Sequence, residues 1–440
     1  MSDRKKVAIV GGGIAGLTAA YRLARSGFDV TLWERAPKFG GQAGGLDVEG
    51  GKLEYFYHHL FQSDIEITAL IHELGIGDRL AWLPSNVGYF ADGTIYPLNG
   101  AKDLLTLPIL PFHDRLRVGL VTAYLQRVKN WKPYEKVTAK QWLTRAMGER
   151  AYSRTFGAQL DAKFGRYADQ IAMVWFWGKI WLRTTSRRSP LEGEKLGYPI
   201  GGFEVIIDAL VEAARNAGAT LIAGNGPSEL KRNENGTWSV IVDGASPQTF
   251  DAIIGSVPSP IFARLAPQLP EDYRAKLLSL DYEAAVVVLL EMDRKLSDIY
   301  WMNIADPSMP FTAIIEHTNF VAPGNYNGKH YVYLSKYLEP DDPYFTMPES
   351  EVLDAYMPHL RKINKDFDRD WISRYWVFRE RAAQPIITLN YSERIPDHRT
   401  PLSGLYLANT SQIYPEDRGT NYSVRLGNQI TAMVKGDLGG

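Results

Sequence analysis

The chain of 440 residues contains no cysteine. That excludes disulfides, thiolate catalysis, cysteine-ligated zinc or iron–sulfur centres, and any cysteinyl attachment of a prosthetic group. An excess of one charge is missing too: 49 Lys and Arg oppose 50 Asp and Glu, for a formal net charge of −1. With no basic field to offset phosphates, a general nucleic-acid binder is not expected. No segment approaches the ~20 uninterrupted apolar residues of a spanning helix. The opening Met1-Ser2-Asp3-Arg4-Lys5-Lys6 lacks the apolar stretch and small-residue cleavage site of a secretion signal. The expected location is therefore the cytoplasm, and the glycosylation-type triplets at Asn235, Asn409 and Asn421 are read as chance matches. Repeats and low-complexity tracts are absent, and no metal site is expected.

What is present is an ordinary globular composition, 45% hydrophobic and 22% charged. The length exceeds one comfortable core, so two domains are the default. Aromatic residues reach 12%, with 11 Trp and 24 Tyr. Such a content fits large cores or a deep cavity for a flat or apolar ligand.

The first forty-five residues carry the most information. Val7 to Val10 reads as a buried strand, broken by Gly11-Gly12-Gly13 and followed by a helical pattern from Leu17 to Arg25. A second strand, Asp29 to Trp33, ends on Glu34. That order is a dinucleotide-binding βαβ unit. Gly11 allows a tight turn, Gly13 close approach to a pyrophosphate, and Gly16 close packing of helix on strand. The helix N-terminus offers free N–H groups to the phosphates. Glu34 suits ribose hydroxyls and would repel a 2′-phosphate, so NADP is disfavoured.

Arg35-Ala36-Pro37-Lys38-Phe39-Gly40-Gly41-Gln42-Ala43-Gly44 follows directly. This stretch resembles the second glycine motif of the flavin amine oxidase superfamily, which includes protoporphyrinogen oxidases, phytoene desaturases and UDP-galactopyranose mutases. The resemblance implies FAD, with the glycine pair wrapping its diphosphate and ribityl chain. It makes Gly11, Gly13, Ile14, Ala15, Gly16, Glu34, Arg35, Gly40, Gly41, Gln42, Ala43 and Gly44 cofactor-binding candidates. Relatives often carry Arg or Lys where Gln42 stands, so one phosphate contact is expected to be an amide.

Farther on, Pro84-Ser85-Asn86 marks a break, and Ala91-Asp92-Gly93-Thr94 reads as a hairpin turn. Helical patterns run from Thr138 to Arg188, and Gly197-Tyr198-Pro199-Ile200-Gly201-Gly202 punctuates the chain. An amphipathic helix spans Phe203 to Ala217. Strands follow at Thr220–Ala223 and Trp238–Val242, and Ala252 to Val257 reads as a parallel strand ending near Ser256 at a nucleotide crevice. This piece resembles the returning half of the superfamily's FAD domain. There the relatives place a valine whose backbone contacts adenine; Pro227, lacking an N–H, stands here. Ala284–Met292, Phe311–Phe320, Tyr331–Ser335 and Trp371–Phe378 read as strands of a second domain.

Near the C-terminus, Gly404 to Asn409 reads as a buried strand, followed by Tyr414 to Asn421 and an apolar helix to about Val434. In the superfamily the equivalent helix points its N-terminus at the flavin pyrimidine ring, where reduced flavin carries negative charge. Gly419 would allow close approach, with Thr420 or Asn421 as the cap. Relatives often have an acid after the strand for the ribityl hydroxyls, where Asn409 stands here.

The chemistry is expected around Leu53 to Phe61. His59-Leu60-Phe61 resembles the His-Ile-Phe of UDP-galactopyranose mutases, whose histidine lies near the flavin. Two adjacent histidines in a strand point to opposite faces, so only one of His58 and His59 is expected at the flavin, where it could move a proton at neutral pH. Phe311 to His317 resembles a strand of the mutases' substrate domain. Tyr57, Arg183 and Tyr198 are substrate-binding candidates, and Arg187 and Arg188 join Arg183 as anion-binding candidates. Lys163 and Lys336 are candidates for a lysine that holds a water near flavin N5. Trp175 to Trp181 reads first as core, then as a cavity wall or a membrane contact.

The expected fold is α/β: a discontinuous Rossmann-type FAD-binding domain (1–83, 197–280 and 398–440) with an α+β substrate domain (84–196 and 281–397). The expected function is an FAD-dependent oxidoreductase, moving a hydride from a C–N or C–C bond of a small or apolar substrate to flavin N5. The alternatives are a mutase-like, non-redox flavoenzyme acting on a sugar nucleotide, and a flavoprotein that binds ligand without turnover. Peripheral membrane contact is not favoured.

Overall fold

The computed structural model describes residues 4–185 and 193–439. Its first layer grows from Lys6–Val10, whose Val7, Ala8 and Ile9 are wholly buried. A strand apolar on both faces belongs at the centre of a parallel sheet. It lies third in the order Leu405–Leu407, Ala252–Gly255, Lys6–Val10, Asp29–Glu34, Thr220–Ala223, all parallel. The helix Ile14–Arg25 starts a turn earlier than its apolar pattern suggested, directly at Gly13. Gly11 turns the chain at φ +110°. A Cβ on Gly16 would stand 2.1 Å from the Gly11 carbonyl oxygen, so only glycine permits this helix its position.

Helices Glu204–Asn216 and Thr420–Leu438 flank this first helix and cover one face of the sheet. A three-stranded antiparallel sheet (Pro227–Arg232, Trp238–Val242, Gln248–Phe250) covers the other, burying Trp238, Leu230 and Phe250 against Ala8, Val10 and Trp33. The second large sheet has seven strands, ordered Ile372–Pro385, Tyr282–Met292, His330–Leu338, Ala313–Glu316, Trp301–Ile304, Val87–Ala91, Thr94–Pro97. Alternation along Tyr282–Met292 splits its side chains. Val287 and Leu289 join the core shared with the first sheet, while Val286, Val288 and Leu290 pack beneath Glu349–Ile363. Residues 139–185 form a helical cluster with its own core.

Three readings of the sequence need correction. Gly197 is not punctuation: it lies in the strand Lys195–Pro199, paired with Leu80–Pro84, and a Cβ there would meet the Trp82 ring at 2.9 Å. The expected strand Phe311–Phe320 narrows to Ala313–Glu316 and then coils into a 3-10 turn, His317–Asn319. His58 and His59 are not in a strand, because Gly51–Glu54 ends before them. The Trp175–Trp177 run is core, as first read, with 8%, 6% and 4% exposure. Arg187 and Arg188 lie outside the described residues.

Gly427 locks the C-terminal helix onto the first one: a Cβ would stand 2.6 Å from Thr18 and 2.8 Å from the Ala15 carbonyl. Gly427→Leu is expected to cost about 1–3 kcal/mol by overpacking and to lower the thermal midpoint. Gly436→Ala, in the same helix with open space around it, should gain about 0.5–1 kcal/mol. Equal melting of Gly427→Leu and wild type in a thermal scan would refute this account of the packing.

Candidate functional site

The carboxyl ends of Lys6–Val10, Asp29–Glu34 and Ala252–Gly255 open onto a groove of about 780 Å³. Two helices begin on it. Ile14–Arg25 starts from Gly13 and Thr420–Leu438 from Gly419, and neither has a side-chain cap. Their first N–H groups therefore lack intrahelical partners and face the groove with partial positive charge. A Cβ on Gly13 would touch nothing within 4 Å, so the backbone there is open to a ligand. Gly40 and Gly41 take left-handed conformations, φ +117° and +57°, that bring the second glycine segment against Gly12 and Gly13. Glu34 is held by the backbone N–H groups of Gly12 (2.7 Å) and Ala36 (2.8 Å). Each of its oxygens keeps a lone pair free for a hydroxyl. Two donor-rich helix ends and an oriented carboxylate along one groove fit a dinucleotide with a charged diphosphate.

Between the two large sheets the groove continues past Tyr57, His58 and His59, then into an apolar branch lined by Val87, Leu98, Phe156, Leu160, Phe176 and Ile180. Lys163, Thr312 and Tyr337 form a shared wall with a second cavity of about 880 Å³. Seven carboxylates and three cations line that cavity. Glu283 is among them, 4% exposed, with Oε2 unpartnered; burial pushes its carboxyl up to about 8, against the pull of Lys163 and Arg418.

The shared wall is ionic. Lys179 pairs with Asp417. Arg418 donates to Tyr337 Oη at 3.0 Å and to Gln384. The Lys163 ammonium lies 4.2 Å from the Tyr337 ring centre. Burial opposes ionisation of Asp417, but Lys179, Arg418 and Lys163 hold it well below the carboxylate range. Burial likewise opposes ionisation of Tyr337, yet Lys163, Arg418 and Lys179 outweigh it and pull the phenol down to about 7. Burial pushes the Lys163 ammonium down as well.

Most of the expected cofactor residues gather on the groove: Gly11, Gly13, Ile14, Ala15, Glu34, Arg35, Gly40, Gly41, Ala43, Pro227, Ser256, Gly419 and Thr420 line it. Gly16 and Gly44 are not on its wall; they are packing glycines. Gln42 reaches the wall, but its amide donates to the Ala382 carbonyl at 3.0 Å, tying the glycine segment to the second sheet and not to a phosphate. Asn409 spends its whole amide inside the protein, on Ser411, Val257 and Ser259, and its backbone N–H and carbonyl pair with Gln412. Asn421 does not cap its own helix. Its Oδ1 accepts from Glu66 and Ile67 at the start of Ile65–Glu73, so Gly419 is the cap.

Tyr57 and Arg183 line the groove. Tyr198 does not: it is fully buried and donates to Glu54 at 3.0 Å, a packing role. Both histidines face the groove, because the chain has left the extended strand. Burial presses His58 down to about 4 and His59 to about 3, and His59 Nδ1 is held to Tyr300 Oη at 3.0 Å. Imidazoles so depressed are neutral at neutral pH. Glu316 and His317 are likewise occupied, by the backbone of Leu296 and Ser297 and by Tyr326. Lys336 lies on the second cavity, over the Tyr344 ring. The sequence reading passed over Asp417, Arg418 and Tyr337; two adjacent opposite charges before an expected helix start were the available signal.

A model of the flavin containing amine oxidoreductases matches residues 14–416. The chain belongs to that family. It is accordingly an FAD-dependent oxidoreductase. The chain is 25% identical over 433 residues to a 15-cis-phytoene desaturase of Solanum lycopersicum, covering 92% of this chain and 73% of the relative. Its fold resembles cyclohexylamine oxidase from Brevibacterium oxydans, with TM-score 0.75, 14% identity and full coverage of both chains. It also resembles reduced UDP-galactopyranose mutase, with TM-score 0.78, 16% identity and coverage of 98% and 96%. Among the described residues no helix is long and apolar enough to cross a membrane.

Beneath the groove, burial pushes Glu54 up from 4.5 to about 7, although the Phe203 N–H and Tyr198 hydroxyl oppose the shift. A carboxyl whose folded pKa is raised contributes stability that is complete below pH 4.5 and lost as pH rises through about 7. The loss is on the order of 3 kcal/mol. Urea midpoints at pH 5 and pH 8 should fall steeply in wild type and less in Glu54→Gln. An equal fall in both would refute a neutral Glu54.

Proposed function

We propose that the groove holds FAD in an extended form and that the oxidoreductase dehydrogenates a C–C bond of an apolar substrate. The observation that carries the reading is the apolar branch of Val87, Leu98, Phe156, Leu160, Phe176 and Ile180, which opens beside the polar wall of Lys163 and Tyr337. In this reading segments 1–83, 197–280 and 398–440 form the cofactor domain. Segments 84–196 and 281–397 form the substrate domain. The N-terminus of Ile14–Arg25, with Gly11, Gly13, Ile14, Ala15 and the Gly40–Ala43 backbone, binds the diphosphate. Glu34 takes the adenosine ribose, with Arg35 and Pro227 beside it. The N-terminus of Thr420–Leu438, with Gly419, Thr420 and Asn421, faces the pyrimidine end.

FAD held along this groove would supply the two-electron oxidant, a hydride acceptor for one substrate carbon. Tyr337 Oη accepts the proton lost from the neighbouring carbon, leaving a double bond, and Lys163 and Arg418 stabilise the phenolate. Tyr57 and the neutral His59 orient the substrate, and the aromatic walls exclude water. A second reading has one observation in its favour: the carboxylate-rich second cavity suits an amine, with oxidation at a C–N bond. The mutase reading loses one of its two supports, because Glu316 and His317 are engaged in the fold, and only His59 on the groove remains for it.

Under anaerobic conditions, 15-cis-phytoene in detergent should bleach the oxidised flavin spectrum, and a panel of primary amines should not. Bleaching by amines alone would replace the first reading with the second. Tyr337→Phe should retain FAD and lower turnover by at least about 100-fold. In wild type the rate should rise with pH through about 7, as the phenol ionises; the variant should lack that limb. Glu34→Ala should weaken FAD binding by roughly 10- to 100-fold, read by flavin fluorescence titration of the apoprotein. Unaltered affinity would remove Glu34 from the ribose.

A further inference from the structure

Eight large apolar side chains are well exposed among the described residues, and five of them, Leu105, Phe112, Leu116, Leu120 and Tyr124, lie on the two successive helices Ala101–Thr106 and Phe112–Leu125. Four of these recur at steps of four along the helix Phe112–Leu125, with exposures of 62%, 42%, 71% and 56%. That spacing makes a continuous stripe about 120° wide. The opposite side of the helix, Asp114, Val118 and Leu125, is buried. The helix therefore already has its core contact, and the stripe is a second apolar face turned outward.

The charge around the stripe has one sign. Lys102, Arg117, Arg127, Lys129, Lys132 and Lys136 are exposed between residues 101 and 136, and no carboxylate in that segment is. Asp103 is half-buried and accepts from the Asn99 N–H. Asp114 is buried against Arg150, and Glu135 is buried and accepts from the Ser392 N–H. Glu149 on the adjoining helix is exposed, between the exposed Arg145 and Arg150. In a chain of net charge −1, this is a segregated cationic rim around an apolar stripe.

We propose that the face formed by Ala101–Thr106 and Phe112–Leu125 docks on a bilayer surface bearing anionic lipid. The stripe enters the boundary between headgroups and acyl chains, Tyr124 lies at its interfacial end, and the rim pairs with lipid phosphates. A uniform cationic rim matches a uniform anionic plane, whereas a protein partner would need carboxylates placed one by one. The contact stands apart from the substrate reading, but its position has a consequence. Trp177 Nε1 donates to the Val128 carbonyl, just past the docking helix, at 3.0 Å. Neighbouring residues Phe176 and Ile180 of Met173–Thr185 line the apolar branch. A docked enzyme holds that branch one helix away from the lipid.

The test is co-sedimentation of the full-length, FAD-loaded protein with vesicles of phosphatidylcholine alone and of phosphatidylcholine with phosphatidylglycerol. Wild type should pellet with the anionic vesicles, less so in high salt, and stay in solution with neutral ones. Phe112→Ser/Leu120→Ser and, separately, Arg117→Glu/Lys129→Glu should each lower partitioning by about tenfold or more. Leu278→Ser, at an exposed leucine on another helix, should bind as wild type does. The proposal is overturned if wild type stays in the supernatant with anionic vesicles, or if both double variants bind undiminished. It is also overturned if the stripe instead drives a concentration-dependent dimer, abolished by Phe112→Ser/Leu120→Ser, without vesicle binding.

Discussion

The site depends on one close approach. Gly16 brings the first helix against the carbonyl of Gly11, with Ser256 donating to that same oxygen at 2.9 Å. Any side chain at position 16 would force helix and strand apart. The helix N-terminus would then no longer open on the groove at the sheet's carboxyl end. Gly427 repeats the device at the other end of the chain, where it holds the C-terminal helix against Thr18. Two helices from opposite ends of the sequence thus deliver uncapped N-termini to one groove. Neither carries a side-chain cap, and an internal cap would occupy the N–H groups that a diphosphate or a flavin pyrimidine requires.

The wall between the two cavities carries a different constraint. Lys163, Lys179 and Arg418 are packed closely enough to Asp417 and Tyr337, and Lys163 and Arg418 to Glu283, to shift the ionisation of those acids. Burial by itself disfavours the charged forms of Asp417, Tyr337, Glu283 and Lys163. Together the cations keep Asp417 ionised and make Tyr337 acidic, while Glu283, on the side facing the second cavity, stays neutral. Opposite shifts in neighbouring groups are what acid–base chemistry at neutral pH needs. The histidines, which the residue types alone favoured, are half-buried among aromatic rings with no carboxylate paired to them.

Legibility in the sequence followed the range of the interaction. The Val7–Glu34 unit could be read because the strand, the glycine turn and the helix are local in sequence, and their glycines have specific steric jobs. The hairpin around Asp92-Gly93 and the helix after Gly202 were legible for the same reason. The sequence could not show that the amides of Gln42, Asn409 and Asn421 are spent on partners far along the chain, at Ala382, Ser259 and Glu66. An amide is equally suited to a ligand and to a distant backbone, and spacing cannot tell them apart. Gly197 misled for a related reason: glycine serves close packing in a strand as readily as it serves a turn.

By itself the sequence determined the strand–turn–helix that begins the parallel sheet, the glycine segment after it, and the absence of cysteine chemistry. Each of these follows from a residue's own conformational range or from its immediate neighbours. Tertiary structure decided which polar groups stay free. It placed Tyr337 between Lys163 and Arg418, turned Trp175–Trp177 inward, and left the Phe112–Tyr124 stripe outside. Those outcomes depend on which distant surface packs where, and burial, not residue type, then sets whether a side chain carries charge, holds the core or faces a ligand.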